Sequence, residues 1–236
     1  MIGLGTIANA AAIVAGGLIG LAAKRFLSAR YQETMIKAMG FAVIVMALGG
    51  TLSRMLTVSG GKLGTQGEMR MILALAGGAL IGEFINLDKG FDRLGQWLRD
   101  KTGSSGDADF INAFVTASLT VCVGAMAVLG SIQDGLNGDH NTLFAKAVID
   151  FVLIAMMTAS LGKGCIFSAL PVTAVQGSIT VLARLIAPVM TEAALDSIGY
   201  VGNILILCVG VNLVWPKTIR VANLLPAIVL AVLFVL

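Results

Sequence analysis

Leu143-Phe-Ala-Lys-Ala-Val-Ile-Asp-Phe-Val-Leu-Ile-Ala-Met-Met-Thr-Ala-Ser-Leu-Gly162 decides how the whole chain is read. It is about the length that an α-helix needs to cross a bilayer, roughly 20 mostly apolar residues. Yet it carries two charges, Lys146 and Asp150, spaced i and i+4, so both lie on one helix face and can pair. A charge at the centre of a membrane helix costs about 3 kcal/mol on insertion scales. The face holding the pair must therefore turn towards protein or water rather than lipid. Asp150 reads either as a proton- or ion-coupling carboxylate or as one half of a structural ion pair that ties this helix to its neighbours.

The rest of the chain has the same character. Of 236 residues, 57% are hydrophobic and 12% charged, and mean hydropathy is +0.93. Soluble domains carry about 25% charged residues, so a polytopic membrane protein is the class that remains. The net charge of +3 is small and dispersed, which excludes a nucleic-acid footprint. Further candidate spans run over 3–23, 35–53, 69–87, 110–131, 165–189, 198–215 and 219–236. The expectation is one all-α membrane domain over 1–236, an eight-span helical bundle. The first segment lacks a basic start, with Lys24 and Arg25 following its apolar run, so it reads as a retained helix rather than a signal peptide.

Lysine and arginine concentrate in the odd-numbered loops, for example Lys24, Arg25 and Arg30, then Lys89, Arg93, Arg99 and Lys101. The positive-inside rule places those loops in the cytoplasm and both termini outside, although Arg54, Lys62 and Arg70 in the second loop run against it. Within 88–101, Phe91, Leu94, Trp97 and Leu98 recur at helical spacing between cationic residues, the pattern of a short helix at the cytoplasmic interface or of a docking helix. Residues 102–109 read as a turn, with Asp109 able to cap the next span. Met39–Gly49 aligns without gaps to Ile198–Cys208, matching Gly40 with Gly199, Phe41 with Tyr200 and Leu48 with Leu207. That match points to an inverted repeat of helices 1–3 and 6–8.

Other polar residues at depth are the remaining candidates for a solute or ion site. Pro171 interrupts the sixth span, freeing a carbonyl near Phe167, and Ser168, Thr173 and Gln176 cluster around it beside Lys163. Asn9 and Asn223 are neutral groups near helix starts, able to cap, to bond across helices or to bind substrate. Glu83 follows Gly77, Gly78 and Gly82 and can line a vestibule or bond a facing helix; these glycines, with Gly16 and Gly20, suit close helix packing. The loop Asp134–His140 resembles a calcium loop but lacks the final glutamate, so a tight turn with a solvated His140 is expected. Three separated cysteines and one histidine offer no metal framework. No catalytic motif appears. Neither enzymatic activity nor a cofactor or metal is expected.

Several of these motifs together resemble the YqgA-like family: Gly5-Thr-Ile-Ala-Asn9, Gly16-Gly-Leu-Ile-Gly20, Gly77-Gly-Ala-Leu-Ile-Gly-Glu83, Cys122-Val-Gly-Ala-Met126, Asp134-Gly-Leu-Asn-Gly-Asp139, the Lys146–Asp150 pair and Asn223-Leu-Leu-Pro-Ala227. The resemblance implies a multi-spanning protein of the bacterial inner membrane. It implies nothing specific about activity beyond a presumed transport role, and it assigns no functional residue. The function expected from the residues is a small secondary transporter or channel for an ion or small solute. The rival is a non-transporting scaffold or partner subunit assembled through the glycine seams. A chain this small needs a partner to enclose a pathway, so a homodimer in the lipid bilayer is the expected assembly.

Overall fold

The structure, a computed structural model, describes residues 1–104, 106–107, 109–122 and 124–235. It is all-α apart from one hairpin. The helices are α1 (Leu4–Lys24), α2 (Ala29–Met55), α3 (Glu68–Ile85), α4 (Leu87–Lys101), α5 (Phe110–Cys122), α6 (Ala125–Asn137), α7 (Asn141–Leu161), α8 (Ala169–Val181), α9 (Ala183–Ile186), α10 (Glu192–Val214) and α11 (Pro226–Leu233). Strands β1 (Leu56–Ser59) and β2 (Lys62–Thr65) pair antiparallel between α2 and α3. Their two-residue turn is Gly60-Gly61, with φ of 58° and 77°, the positive-φ pair that a right-twisting hairpin requires.

The chain divides into two compact units. The first comprises residues 1–38, 89–122 and 126–188, and α1 is its centre. One face of α1 carries Gly5, Thr6, Asn9, Ile13, Gly16, Gly17 and Gly20, all buried. Gly16 and Gly20 lie against the carbonyls of Phe151 and Ala155, so α7 runs parallel to α1 at backbone-to-backbone distance. Gly17 meets Ile166, and Asn9 meets Gln176, so α8 and the turn before it run antiparallel on another side of α1. Helix α5 packs on that turn through Gly164, which abuts the Phe110 carbonyl, through the Cys165 thiol donating to the Ala113 carbonyl at 3.6 Å, and through the Phe110 and Phe167 rings 5.3 Å apart.

Helix α4 is the helix expected at 88–101. Its apolar residues divide between two directions: Phe91 and Leu98 pack onto Phe110 and Phe114 of α5, while Leu94 and Trp97 stay exposed. Gly95 lets this contact close, since Phe114 and Ile111 stand where its Cβ would project. The turn expected at 102–109 includes residues 105 and 108, outside those described. Beside them, the Asp107 carboxylate accepts from the Asp109 amide at 3.2 Å.

The second unit comprises residues 39–88, 123–125 and 189–236. Its α2 and α10 run antiparallel: Gly40 faces Leu213 and Val214, Gly50 faces Asn203, and Gly199 faces Arg54. Helices α3 and α11 are likewise antiparallel, with Gly78 on Ala227 and Gly82 on the Asn223 carbonyl. Asn212 fixes the turn between α10 and α11. Its Oδ1 accepts from the Thr218 and Ile219 amides at 3.1 and 2.9 Å, and its Nδ2 donates to the Ile219 carbonyl at 2.7 Å.

Among the described residues, five helices are long and apolar enough to cross a membrane, or seven if each of two broken helix pairs counts as one span. Every expected span lands on helix, but the count of eight is not reached. The segment 219–236 gives only a 3₁₀ turn (Val221–Leu224) and the eight-residue α11, which falls short of the hydrocarbon thickness at about 1.5 Å per residue. The segment 110–131 breaks between α5 and α6, which are bent by 62°, beside Gly124 at φ 155°. The sixth segment breaks differently from its expectation. Gly162, at φ 107°, ends α7, a 3₁₀ stretch covers Lys163–Ser168, and Pro171 sits in the first turn of α8. A proline there removes no hydrogen bond, so no carbonyl is freed near Phe167.

Many large apolar side chains point outward from these helices, among them Leu18, Val45, Met46, Phe84, Val148 and Val181. Such a surface is stable against lipid tails and is an aggregation hazard in water. The glycine seams have no such latitude. Gly16→Val and Gly82→Val, each placing a side chain on a facing backbone carbonyl, are expected to destabilise the protein by at least about 1–3 kcal/mol. Gly49→Ala, which meets nothing within 4 Å, is expected to be neutral or slightly stabilising. Thermal denaturation of the three variants in detergent micelles checks this ranking.

Candidate functional site

Four of the sequence candidates meet inside the first unit. Asn9 (α1), Lys146 and Asp150 (α7), and Gln176 (α8) are 0%, 7%, 3% and 1% exposed. The parallel course of α1 and α7 and the antiparallel course of α8 bring them together. Lys146 Nζ donates to Asp150 Oδ2 at 2.5 Å and to the Val121 carbonyl at 2.9 Å, the latter near the end of α5. Asn9 Nδ2 donates to Gln176 Oε1 at 3.3 Å, and the Asn9 side chain also reaches the Asp150 carboxylate. An ion pair thus adjoins two amides.

The hydrogen bonding of this cluster is incomplete. Asn9 Oδ1 and Gln176 Nε2 are buried without a partner, and so are the hydroxyls of Thr6 and Thr180. Thr6 stands one turn before Asn9 on α1, and Thr180 one turn after Gln176 on α8. Each helix therefore presents two polar residues on the same face. Each orphaned group costs about 1–3 kcal/mol relative to a satisfied one. Neither threonine was a sequence candidate, though the i−3 and i+4 spacing from Asn9 and Gln176 was there to be read.

The other candidates lie elsewhere. Ser168 is buried in the same unit, but its hydroxyl is spent on the Cys165 carbonyl at 2.7 Å. Thr173 lies on an exposed face of α8, back-bonding to the Ala169 carbonyl at 2.7 Å. Glu83 and Asn223 belong to the second unit. Glu83 is half exposed and pairs with Arg220, Oε2 to Nη1 at 3.2 Å. Asn223 is buried, and its Oδ1 accepts from the Asp88 amide at 2.7 Å near the start of α4. The two residues share the lining of a shallow cavity with Thr218 and Arg220.

A second buried carboxylate was missed. Asp134 of α6 is fully buried. It accepts from the Gly3 and Gly5 amides at 2.9 and 3.0 Å and from His140 Nδ1 at 3.0 Å. It caps the N-terminus of α1, where free amides and the helix dipole favour negative charge. His140 is thereby held rather than solvated: its side chain is mostly buried and its ring rests against Phe144. The loop is a latch between α1 and α6–α7. Among the described residues, no three His, Cys, Asp or Glu side chains converge as metal ligands do, and the three cysteines are unpaired.

Residues 4–236 match a family described as "Protein of unknown function (DUF554)". Among relatives, the chain is 29% identical to the uncharacterized membrane protein YdfK of Bacillus subtilis (strain 168), over 98% of this chain and 96% of the relative. It is 28% identical to the uncharacterized protein YqgA of Escherichia coli (strain K12), over 97% and 94%. The family resemblance read from the sequence motifs thus holds across nearly the whole chain. No solved structure matches it.

Removing one member of a buried ion pair strands the other, whereas removing both need not cost stability. Lys146→Met alone is therefore expected to lose about 3–5 kcal/mol. Lys146→Met combined with Asp150→Leu is expected to recover most of that loss. Unfolding in mixed micelles with increasing sodium dodecyl sulfate measures both, and strictly additive losses would contradict the pairing.

Proposed function

Since the chain belongs to the DUF554 family of proteins of unknown function, and its helices are those of a membrane protein, we propose that it is a small secondary transporter or channel for an ion or small polar solute. The observation that carries this reading is the unfinished polar cluster of Asn9, Gln176, Thr6 and Thr180 beside the Lys146–Asp150 pair. Structural polar networks in apolar surroundings are normally complete. Four buried orphan groups on facing helices are what a site looks like when its hydrogen-bonding partner comes and goes. In this proposal Asn9 and Gln176 offer one acceptor and one donor to a solute, while Asp150 answers to a proton or cation. Protonating Asp150 strands Lys146, so a change of charge at Asp150 must be matched by a solute charge or by movement of Lys146 towards water.

The same reading includes an inverted repeat of the first and last three sequence segments, and three observations support it. Helix α1 is antiparallel to α8, α2 to α10, and α3 to α11. In each pair a helix packs beside the counterpart that the sequence register assigns to it. Antiparallel counterparts are what an inverted repeat requires. The reading extends to a bacterial inner-membrane location, with the odd loops in the cytoplasm, the N-terminus outside and α4 at the cytoplasmic interface.

Purified protein in liposomes, screened against a panel of ions and small solutes, is expected to give a flux that Asp150→Asn abolishes and that Gln176→Ala weakens mainly through KM. An absence of flux across a broad panel, together with a stoichiometric partner protein, would favour a scaffold instead. Sidedness has a separate test. With Cys122, Cys165 and Cys208 replaced by alanine, Lys62→Cys is expected to react with a membrane-impermeant maleimide on intact cells, and Lys101→Cys only after permeabilisation.

A further inference from the structure

The second unit holds a cavity of about 200 Å³, roughly the volume of several waters. Its wall comes from the end of α2, the first turns of α3 and α10, and Ala231 of α11. Arg54, Gln66, Arg70, Asp196, Ser197 and Tyr200 are its polar lining. None of these residues belongs to the cluster in the first unit.

Three observations point to a ligand for this lining. Tyr200 is 7% exposed, yet its hydroxyl has no hydrogen-bond partner. Buried tyrosine hydroxyls almost always find one, and a ring needed only for packing would be served by phenylalanine. Arg54 donates from Nη1 to Asp196 Oδ1 at 3.0 Å, but its Nε is buried and unpartnered. Arg70 lines the same cavity and, among the described residues, makes no ion pair. The lining itself carries two arginines against one aspartate, and the Glu68 carboxylate acts on the Tyr200 hydroxyl from beside it. Glu68 lies outside the lining and is engaged by the Thr65 side chain. The N-termini of α3 and α10 open onto the same space, and their dipoles favour an anion there.

Two guanidinium groups to one carboxylate in the lining favour an anion over a cation. The free donors are a guanidinium Nε, a second guanidinium, a phenolic hydroxyl and a serine hydroxyl, contributed by three helices. Donors so distributed suit an oxyanion with several acceptor oxygens, and guanidinium groups are the preferred partners of phosphate. We propose that this cavity binds a phosphate-type oxyanion, either free in solution or on a lipid headgroup, through Arg54 Nε, Arg70 and the Tyr200 hydroxyl.

Detergent-solubilised full-length protein titrated with inorganic phosphate is expected to show a saturable rise in thermal midpoint that sodium chloride at equal ionic strength does not reproduce. Arg70→Gln removes an exposed side chain, and Tyr200→Phe keeps the ring, so both variants are expected to fold. Each is expected to weaken phosphate binding at least tenfold, while Glu33→Gln, on an exposed face of α2, leaves it unchanged. If the ligand is a lipid headgroup, inorganic phosphate has no effect. Native mass spectrometry then retains a phosphatidylglycerol adduct that Arg70→Gln and Tyr200→Phe lose. Absence of both ligands, or binding of either that persists unchanged in the two variants, overturns the proposal.

Discussion

The contact on which the first unit depends is backbone against backbone: the α carbons of Gly16 and Gly20 on α1 against the carbonyls of Phe151 and Ala155 on α7. Between helices in lipid there is little hydrophobic drive, because the tails are as apolar as leucine. Association rests on close packing and interhelical hydrogen bonds. Where both faces are small, the helices approach closely enough for the short side chains of neighbouring turns to reach across. Asn9 lies on the same glycine-rich face, and Asp150 lies next to Phe151. A larger residue at position 16 would separate the amide of Asn9 from its partners.

That close approach also sets the electrostatics. Lys146 and Asp150 would be costly on a lipid-facing surface, and here both are buried within protein, with the lysine further bonded to the Val121 carbonyl. Asp134 solves the same problem by another route. It takes two backbone amides from the start of α1 and one bond from His140. One end of α1 is thus fixed by a carboxylate and its middle by glycine packing. The polar pair Asn9 and Gln176 lies between the two and has spare hydrogen-bonding capacity. Rigid ends around an unfinished centre make a reasonable framework for a site, since the scaffold does not have to move for the centre to change partners.

What could be read in the sequence followed from length and local spacing. Runs of about 20 apolar residues gave the helices, and i, i+4 spacing gave the Lys146–Asp150 pair. The stripe in 88–101 gave α4, although not that Phe91 and Leu98 would turn onto α5. Partners far along the chain were not legible: that Gly16 would meet Phe151, or Asp134 the amides of Gly3 and Gly5, depends on tertiary docking that no local pattern encodes. Other misses were avoidable. Gly60-Gly61 between β-branched and polar residues is a hairpin signal, but counting spans makes every interval between helices a loop. Pro171 was read as a helix breaker, whereas a proline three residues into a helix marks its beginning.

The two ends of the second unit show why charge against the positive-inside pattern is informative. Arg54 near the end of α2 and Arg70 near the start of α3 flank a loop that the rule would leave sparse in cations. One explanation is that the rule is simply loose at this loop. The structure offers another: Arg54 is held by Asp196 across α2 and α10, and with Arg70 and Tyr200 it lines a cavity. An arginine retained only to orient a loop would have no reason to keep its Nε buried and unpaired. At the other end, Arg220 meets Glu83 in a pair that is exposed on both sides, where solvent screens most of its energy. The buried Nε separates Arg54 from Arg220, and sequence position cannot.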